Sequence, residues 1–181
     1  EMEAEVNAVL EPYPPEEVLA KGFNLDIRRA DLSTLSERQW LNDTIINFYM
    51  SMLMERSLKD GYPRIYVFNT FFFTKLCQSG HAGLKRWTRR IDLFSYDMVL
   101  IPIHMEMHWF LAVIDFRQPC IAIYDSLGAA KVDSSCIDLL KSYLEEESLH
   151  KRSRGIDWDC WKLVVVEDLP LQDNFNDCGM F

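Results

Sequence analysis

The sequence predicts an α+β domain with a central mixed β-sheet flanked by helices, and three observations predict it. Hydrophobic residues make up 49% of the 181 residues, enough for one sizeable core. Residues 107–116 and 120–125 are apolar at almost every position, as expected for strands covered on both faces. Other segments, such as residues 42–57, place apolar side chains at helical spacing instead.

The first 20 residues differ from the rest of the chain. They are acidic, and Pro12, Pro14 and Pro15 surround Tyr13, which favours an extended and irregular backbone. We therefore interpret residues 1–20 as an arm that is mobile or lies against the surface. Residues 21–181 are predicted to form a single domain, which begins with scattered polar and apolar residues and one short helical turn.

The first long helix is predicted to start at Asn42 or Asp43, either of which can act as N-cap, and to reach about Ser57. Four apolar residues fall on one of its faces, which predicts that this face packs on the core. They are Ile45, Tyr49, Met52 and Leu53.

A second helix is predicted over residues 71–78 with Thr70 as its cap, and it opens with three consecutive phenylalanines. These three side chains cannot all face one core, so one is expected to be exposed and available to a partner. A third helix is predicted from the capping-box spacing of Ser135 and Asp138. Its apolar face contains Ile137, Leu140, Tyr143 and Leu144.

The strands are predicted at residues 97–103, 107–116, 120–125 and 162–166. A short turn at residues 117–119 joins the second and third of them into an antiparallel hairpin. If Asp115 faces Cys120, then Asp125 faces Phe110, and His108 is the diagonal neighbour of Asp125. Diagonal neighbours are about 7–8 Å apart, within reach of a hydrogen bond between imidazole and carboxylate.

Cys178 lies in a segment rich in Asn, Asp and Gly, residue types that favour tight turns. The last five residues are predicted to start a helix with Asn176 or Asp177 as N-cap. A cysteine at such a position favours thiolate over thiol and is a nucleophile. A single cysteine is more often a small buried residue, so this interpretation requires a nearby base.

His108 and Asp125 can supply that base, because a thiol, an imidazole and an orienting carboxylate form a Cys-His-Asp triad. Gln172, six residues before Cys178, offers a side-chain amide for an oxyanion hole. Taken singly, His108 is also a common strand-end residue and Asp125 a common turn residue.

These residues also carry a resemblance to a known family, which extends in register from about residue 21 to the end. The motifs that carry it are His108-Trp109, Tyr124-Asp125-Ser126-Leu127-Gly128, Gln172 with Asp177-Cys178-Gly179-Met180-Phe181, Gln39-Trp40-Leu41-Asn42-Asp43 with Ile45-Ile46-Asn47-Phe48-Tyr49-Met50, Phe68-Asn69-Thr70-Phe71-Phe72-Phe73, Lys85-Arg86-Trp87-Thr88 and Ile101-Pro102-Ile103-His104. They resemble the SUMO-specific cysteine proteases, also called sentrin-specific or ubiquitin-like-protein-specific proteases. The resemblance implies a papain-like fold and catalytic roles for His108, Asp125, Gln172 and Cys178.

The resemblance also implies a substrate-binding surface. Its candidate residues are Trp40, Asp43, Phe72, Arg86, His104 and Trp109. Trp40 and Trp109 would close over the substrate's C-terminal tail as a narrow tunnel, and Asp43 would pair with an arginine of SUMO. Asp43 is also explained as a plain N-cap, and the basic run around Arg86 as a solvated face. Either tryptophan alone could equally be a core residue.

The implied function is a thiol peptidase and isopeptidase that matures SUMO precursors and releases SUMO from modified proteins. A protease for another ubiquitin-like modifier and a non-catalytic SUMO-binding module remain as alternatives. We further expect a monomer that needs no metal or organic cofactor. The resemblance implies a location in the nucleus, including the nuclear envelope. The chain stops three residues after Cys178, whereas the family continues into a helix, so we expect a truncated domain whose activity alone is in doubt.

Composition narrows the classes of function. The net charge of −9 argues against nucleic acid as the main partner. No apolar run approaches the length of a membrane span and no secretory signal is visible, so no membrane association is expected. Five cysteines without C-x-x-C spacing argue against a disulfide framework or a zinc site.

Overall fold

A five-stranded mixed sheet forms the centre of the structure, a computed structural model that describes residues 2–128 and 134–181. The helices are α1 (Met2–Leu10), α2 (Arg29–Leu32), α3 (Asp43–Arg56), α4 (Phe72–Ser79) and α5 (Ser135–Arg152). The strands are β1 (Val18–Gly22), β2 (Leu25–Arg28), β3 (Ile65–Val67), β4 (Met98–Met105), β5 (His108–Asp115), β6 (Cys120–Tyr124) and β7 (Lys162–Val165). The predicted α+β class with a mixed sheet flanked by helices is confirmed.

The sheet has the strand order β3-β4-β5-β6-β7, and β1 pairs with β2 in a separate hairpin. The outer pairs β3–β4 and β6–β7 are parallel, whereas β4–β5 and β5–β6 are antiparallel. Asp115 lies opposite Cys120, and Leu111 lies opposite Tyr124. The predicted register of the β5–β6 hairpin is therefore confirmed. It brings the first residue of β5 and the last residue of β6 to the same end of the sheet.

The β4–β5 hairpin turns on only two residues, Glu106 and Met107, between the paired residues Met105 and His108. Both have positive φ angles, 50° and 65°, which is the backbone twist that suits a tight hairpin. Neither is glycine, so this conformation costs about 1 kcal/mol or more for each residue. The turn makes His108 the first residue of β5 and fixes its place at the end of the sheet.

The main core lies between the sheet, α4 and α5, and its centre is aromatic and aliphatic. Phe68 and Phe72 stack with ring centroids 3.6 Å apart, and Tyr143 meets Phe72 edge-on at 5.0 Å. All four residues predicted for the apolar face of α5 are buried. The N-cap position is held by Ser134, one residue before the predicted Ser135, and Ser134 makes no side-chain cap bond.

Helix α3 begins as predicted, with the Asn42 side chain accepting a hydrogen bond from the Ile45 amide at 3.1 Å. Its predicted core face is only partly correct: Ile45 is buried, but Tyr49 and Met52 are 57% and 47% exposed. The reason is an apolar cavity of about 750 Å³, which several α3 side chains line together with residues of β4 and β5 and Cys178. Cys178 therefore stands on the wall of an open apolar space.

The predicted arm contains regular structure. Residues 2–10 form α1, and the Arg29 side chain donates to the carbonyl oxygen of Ala8 at 2.7 Å and to the Glu17 carboxylate at 2.6 Å. Arg29 thereby links α1 to the start of α2. The β1–β2 hairpin in the next segment escaped prediction because its turn, Phe23-Asn24, lacks glycine although both φ angles are positive.

The predicted cap of α4 is wrong. Phe71 occupies the N-cap position and makes no side-chain cap bond. The Thr70 hydroxyl instead accepts a hydrogen bond from the Asn47 side chain at 3.0 Å, and the Thr70 amide donates to the oxygen of the same side chain at 2.9 Å. Asn47 thereby ties α3 to the start of α4, a long-range contact that takes priority over the local cap.

Candidate active site

His108 and Asp125 form a hydrogen-bonded pair at one end of strands β5 and β6. Nε2 of His108 is 2.7 Å from Oδ1 of Asp125, and Asp125 is only 4% exposed. An ionised carboxylate only accepts hydrogen bonds, so Nε2 carries the hydrogen and Nδ1 keeps the lone pair. The predicted contact between imidazole and carboxylate is confirmed, and it leaves Nδ1 as the nitrogen that can take up a proton.

The turn after β6 fixes the Asp125 carboxylate from behind. The Leu127 amide donates to Oδ1 of Asp125 at 2.8 Å, and the Gly128 amide donates to the Asp125 carbonyl oxygen at 3.0 Å. Gly128 has a φ of +96°, which side chains strongly disfavour, so the turn needs glycine there. The carboxylate is thus oriented before any substrate arrives.

Cys178 lies in a single 3₁₀ turn, Asp177–Gly179, so the helical turn begins at the predicted place and is of the 3₁₀ type. Asn176 occupies the N-cap position without a side-chain cap bond. Oδ1 of Asn174 instead accepts from the amides of Asn176 and Asp177 at 2.9 and 3.0 Å. Sequence analysis missed this role of Asn174, although an Asn followed by turn residues is the usual signal for such a loop.

Trp109 connects the cysteine to the base. It belongs to the same buried cluster as Cys178 and Leu41, and His108 precedes it directly in β5. The thiol and the imidazole therefore lie at the same end of β5. Within the described residues no hydrogen bond joins the Cys178 sulfur to His108, so their direct contact stays a prediction; such contacts often tighten only with substrate.

Gly179 allows the turn to approach its neighbours closely. A Cβ placed on Gly179 would be 2.9 Å from Cβ of Leu41 and 3.5 Å from Cδ1 of Trp109. Cβ of Leu41 cannot rotate away, so any larger residue must move the turn that carries Cys178.

We expect Gly179→Ala to lower kcat about tenfold or more and to cost about 1–3 kcal/mol of stability, because overpacking displaces the nucleophile. Steady-state turnover and thermal unfolding measure the two effects. Gly155→Ala is the matched control, since its Cβ would meet mainly the end of the Glu145 side chain, 2.6 Å away at Oε1. Unchanged turnover in Gly179→Ala would contradict the expected displacement.

Gln172 is held by two side-chain contacts. Its Oε1 accepts from the Ser126 hydroxyl at 2.6 Å, and its Nε2 donates to the Asn174 carbonyl oxygen at 2.7 Å. Nε2 has two hydrogens, so one is left for an oxyanion. Among the hydrogen bonds of the described chain, none uses the backbone amide of Cys178. Both groups can therefore act as donors, and their role in an oxyanion hole stays a prediction.

The residues predicted to bind substrate differ in exposure. Arg86 and His104 are exposed, Trp40 is 38% exposed, and Asp43 is half-buried as the first residue of α3. The ring of His104 packs against Trp109 with centroids 4.5 Å apart. Trp109 itself is only 7% exposed, so it serves the core as well as the site.

The predicted place of Phe72 on the substrate surface is wrong. Its side chain is 0% exposed and is stacked on Phe68 in the main core. The exposed member of the phenylalanine run is Phe71, at 57%. Adjacent helical residues point about 100° apart, so a shift of one residue moves a side chain from core to surface.

No metal site or membrane helix appears in the described parts of the chain. No three His, Cys, Asp or Glu side chains there are grouped so that they could hold a metal ion. None of the described helices is long and apolar enough to cross a bilayer.

Comparison with known proteins points to one family. Residues 39–181 match the family described as "Ulp1 protease family, C-terminal catalytic domain". A Caenorhabditis elegans sentrin-specific protease is 44% identical over 92% of this chain. The mouse sentrin-specific protease 2 is 43% identical over the whole chain. The chain spans only 24% and 31% of the lengths of these two relatives.

A solved structure shares the fold. It is the C-terminal Ulp1 protease domain in complex with Smt3, the yeast ortholog of SUMO. The two chains superpose with a TM-score of 0.82 at 31% identity, over 98% of this chain and 77% of the Ulp1 chain. The predicted papain-like α+β fold is therefore confirmed.

Proposed function

The chain belongs to the Ulp1 protease family, and on that basis we propose that it is the catalytic part of a thiol protease that cleaves after the C-terminal Gly-Gly of SUMO. It would act on SUMO precursors and on the isopeptide bonds that join SUMO to lysines. The observation that carries the proposal is the hydrogen bond between His108 and Asp125, at the end of β5 where Cys178 also packs. In the proposed mechanism His108 is the base that acts on Cys178.

The first step forms a covalent intermediate. Nδ1 of His108 takes the thiol proton, and the Cys178 sulfur attacks the carbonyl carbon of the last glycine. Asp125 holds the hydrogen on Nε2 and stabilises the charged imidazole that results. The negative charge that develops on the carbonyl oxygen is met by the side-chain amide of Gln172 and the backbone amide of Cys178.

The second step returns the enzyme to its starting state. His108 gives its proton to the departing amine, whose C–N bond breaks as a thioester forms on Cys178. A water molecule then attacks the thioester while His108 takes its proton, and the sulfur leaves and is reprotonated. The products are a free carboxylate on the Gly-Gly tail and a free amine.

The tail is recognised by aromatic side chains around the site. Trp40 and Trp109 are proposed to enclose the two glycines, because only a chain without Cβ atoms passes between two indole faces. Asp43 and Arg86 would contact charged groups on the folded part of SUMO, and the exposed Phe71 replaces Phe72 as the apolar contact.

We expect Trp40→Ala to reduce cleavage strongly and to relax the preference for Gly-Gly over Gly-Ala tails. Because Trp40 is 38% exposed, the melting temperature of the Trp40→Ala variant should differ little from that of the wild type. Trp109→Ala is the contrasting variant: because Trp109 is 7% exposed, its truncation should cost about 3–5 kcal/mol of stability. The melting temperature and the rates of cleavage after Gly-Gly and Gly-Ala tails are measured for both variants. Unchanged tail selectivity in Trp40→Ala would refute the tunnel.

The function itself is tested with SUMO that carries an electrophile in place of its C-terminal carboxylate. An adduct on Cys178, located by mass spectrometry, is expected for the protease. Binding without an adduct would support a SUMO-binding module instead. Faster reaction with the equivalent ubiquitin or other modifier probe would assign the same chemistry to a different substrate.

The setting of the activity is part of the proposal. A nuclear location, including the nuclear envelope, follows from the family resemblance alone. We further propose a monomer that acts without nucleic acid or membrane, which suits a net charge of −9 and a partner with a basic face. Imaging of the tagged full chain and its mass in solution test these two points.

A further inference from the structure

Ser126 follows Asp125 directly and is a buried residue with a hydroxyl group. It is 4% exposed, and its hydroxyl donates to Oε1 of Gln172 at 2.6 Å. The backbone amide of Gln172 donates in turn to the Ser126 carbonyl oxygen at 2.9 Å. We infer that Ser126 is a positioning residue, whose hydroxyl holds the Gln172 amide so that an Nε2 hydrogen is presented to the oxyanion.

The two contacts of the Gln172 side-chain amide determine the positions of its oxygen and its nitrogen. The Asn174 carbonyl oxygen only accepts hydrogen bonds, so Nε2 must face it; a reversed amide would set two acceptors about 2.7 Å apart. With Nε2 on that side, Oε1 needs a donor, and Ser126 supplies it. The amide is therefore gripped at both ends, and one N–H remains in a defined direction.

The Ser126 contact also changes the strength of the remaining donor. A hydrogen bond accepted by an amide oxygen polarises the amide and makes its N–H groups better donors. The benefit is largest where charge develops, in the transition state, and small for the neutral substrate carbonyl. Loss of the Ser126 hydroxyl should therefore affect kcat and leave KM nearly unchanged.

The position of Ser126 links the two halves of the site. Asp125 orients the base, and Ser126, the next residue, orients the proposed oxyanion donor. One turn after β6 would thus set both groups at once, which removes the need for two separately adjusted loops. This inference rests on the proposed function, because it assumes that Gln172 meets an oxyanion.

A purely structural role for the same hydrogen bond makes a different prediction. In that case the hydrogen bond only holds the segments around residues 126 and 172 together. Its loss would lower the stability of the protein without a selective effect on kcat. Ser148 is the matched control, since it is 3% exposed and its hydroxyl donates to the Arg154 carbonyl oxygen at 2.7 Å, outside the proposed site.

The test is a double-mutant cycle in the full chain, with Ser126→Ala, Gln172→Ala and both together. We expect Ser126→Ala to lower kcat about five- to tenfold, the value of one hydrogen bond, with KM unchanged. In the Gln172→Ala background, Ser126→Ala should have no further effect on kcat. Ser148→Ala should leave kcat at the wild-type value. An equal loss of kcat in both backgrounds, or none in either, overturns the inference.

Two further measurements keep the result decisive. Ser126→Cys preserves the volume with a much weaker donor, so its kcat should lie between those of wild type and Ser126→Ala; it replaces Ser126→Ala if the latter does not fold. The side-chain amide resonances of Gln172 in NMR spectra report the orientation without turnover. We expect them to shift in Ser126→Cys and not in Ser148→Ala.

The outcomes separate the two proposals. Absence of wild-type turnover would reject the proposed function, and unchanged Gln172 resonances in Ser126→Cys would reject the positioning role whatever the activity. Wild-type turnover with wild-type kcat in Ser126→Ala would reject the positioning role alone.

Discussion

Cys178→Ser is expected to lower turnover of SUMO substrates by about 10³-fold or more while SUMO affinity stays nearly unchanged. A hydroxyl is a far weaker nucleophile than a thiol at neutral pH, and the residual rate comes from binding and oxyanion contacts. Oxygen and sulfur differ little in size, so the packing against Trp109 should survive. Turnover and binding measured on one preparation check both statements, and near-wild-type turnover would exclude Cys178 as the nucleophile.

The other cysteines provide an internal control for that assignment. Partial desolvation raises the pKa of the Cys77 and Cys120 thiols, and hydrogen bonding to the Asp157 carboxylate raises the pKa of Cys160. Raised pKa values leave less thiolate at neutral pH. Cys136 and Cys178 are both buried, at 2% and 7% exposure, but Cys178 also lines the open apolar cavity.

A limiting amount of a small alkylating reagent should therefore modify Cys178 first. Peptide mapping by mass spectrometry identifies the labelled site. Labelling of Cys77 or Cys160 ahead of Cys178 would count against its activation by His108.

Asp125→Asn is expected to lower kcat about 10²-fold with the fold intact. The amide carries no charge, so the protonated imidazole of His108 loses its electrostatic partner. In serine proteases the comparable change costs about 10⁴-fold because the imidazole takes the wrong tautomer. Here the Leu127 amide already donates to Oδ1 at 2.8 Å, which favours the side-chain oxygen on that side and keeps the correct tautomer. The loss should therefore be smaller.

The control for Asp125→Asn is Asp115→Asn at the other end of β5. Asp115 pairs with Arg117 at 2.9 Å, and hydrogen bonds from Arg117 hold the pKa of its carboxyl below the usual range. Its replacement should leave kcat unchanged. The test compares kcat of Asp125→Asn and Asp115→Asn on the same fluorogenic SUMO conjugate. An equally small loss of kcat in both variants would rule out the triad.

The sequence by itself determined four of the five strands of the sheet, all but β3, and the pairing of base and carboxylate. The short turn at residues 117–119 leaves few registers for the hairpin of residues 107–125, and the structure has the predicted one. From that register the contact between His108 and Asp125 follows. The apolar face of α5 was equally determined, because four residues at helical spacing leave one face to bury.

The tertiary structure alone decided which side chains face the site. Phe71 and Phe72 have the same side chain, and only the packing of α4 against Phe68 and Tyr143 places one outside and the other inside. The orientation of the Gln172 amide likewise depends on Ser126, 46 positions away in the chain. Such contacts form between segments distant in sequence, so no local period or propensity encodes them.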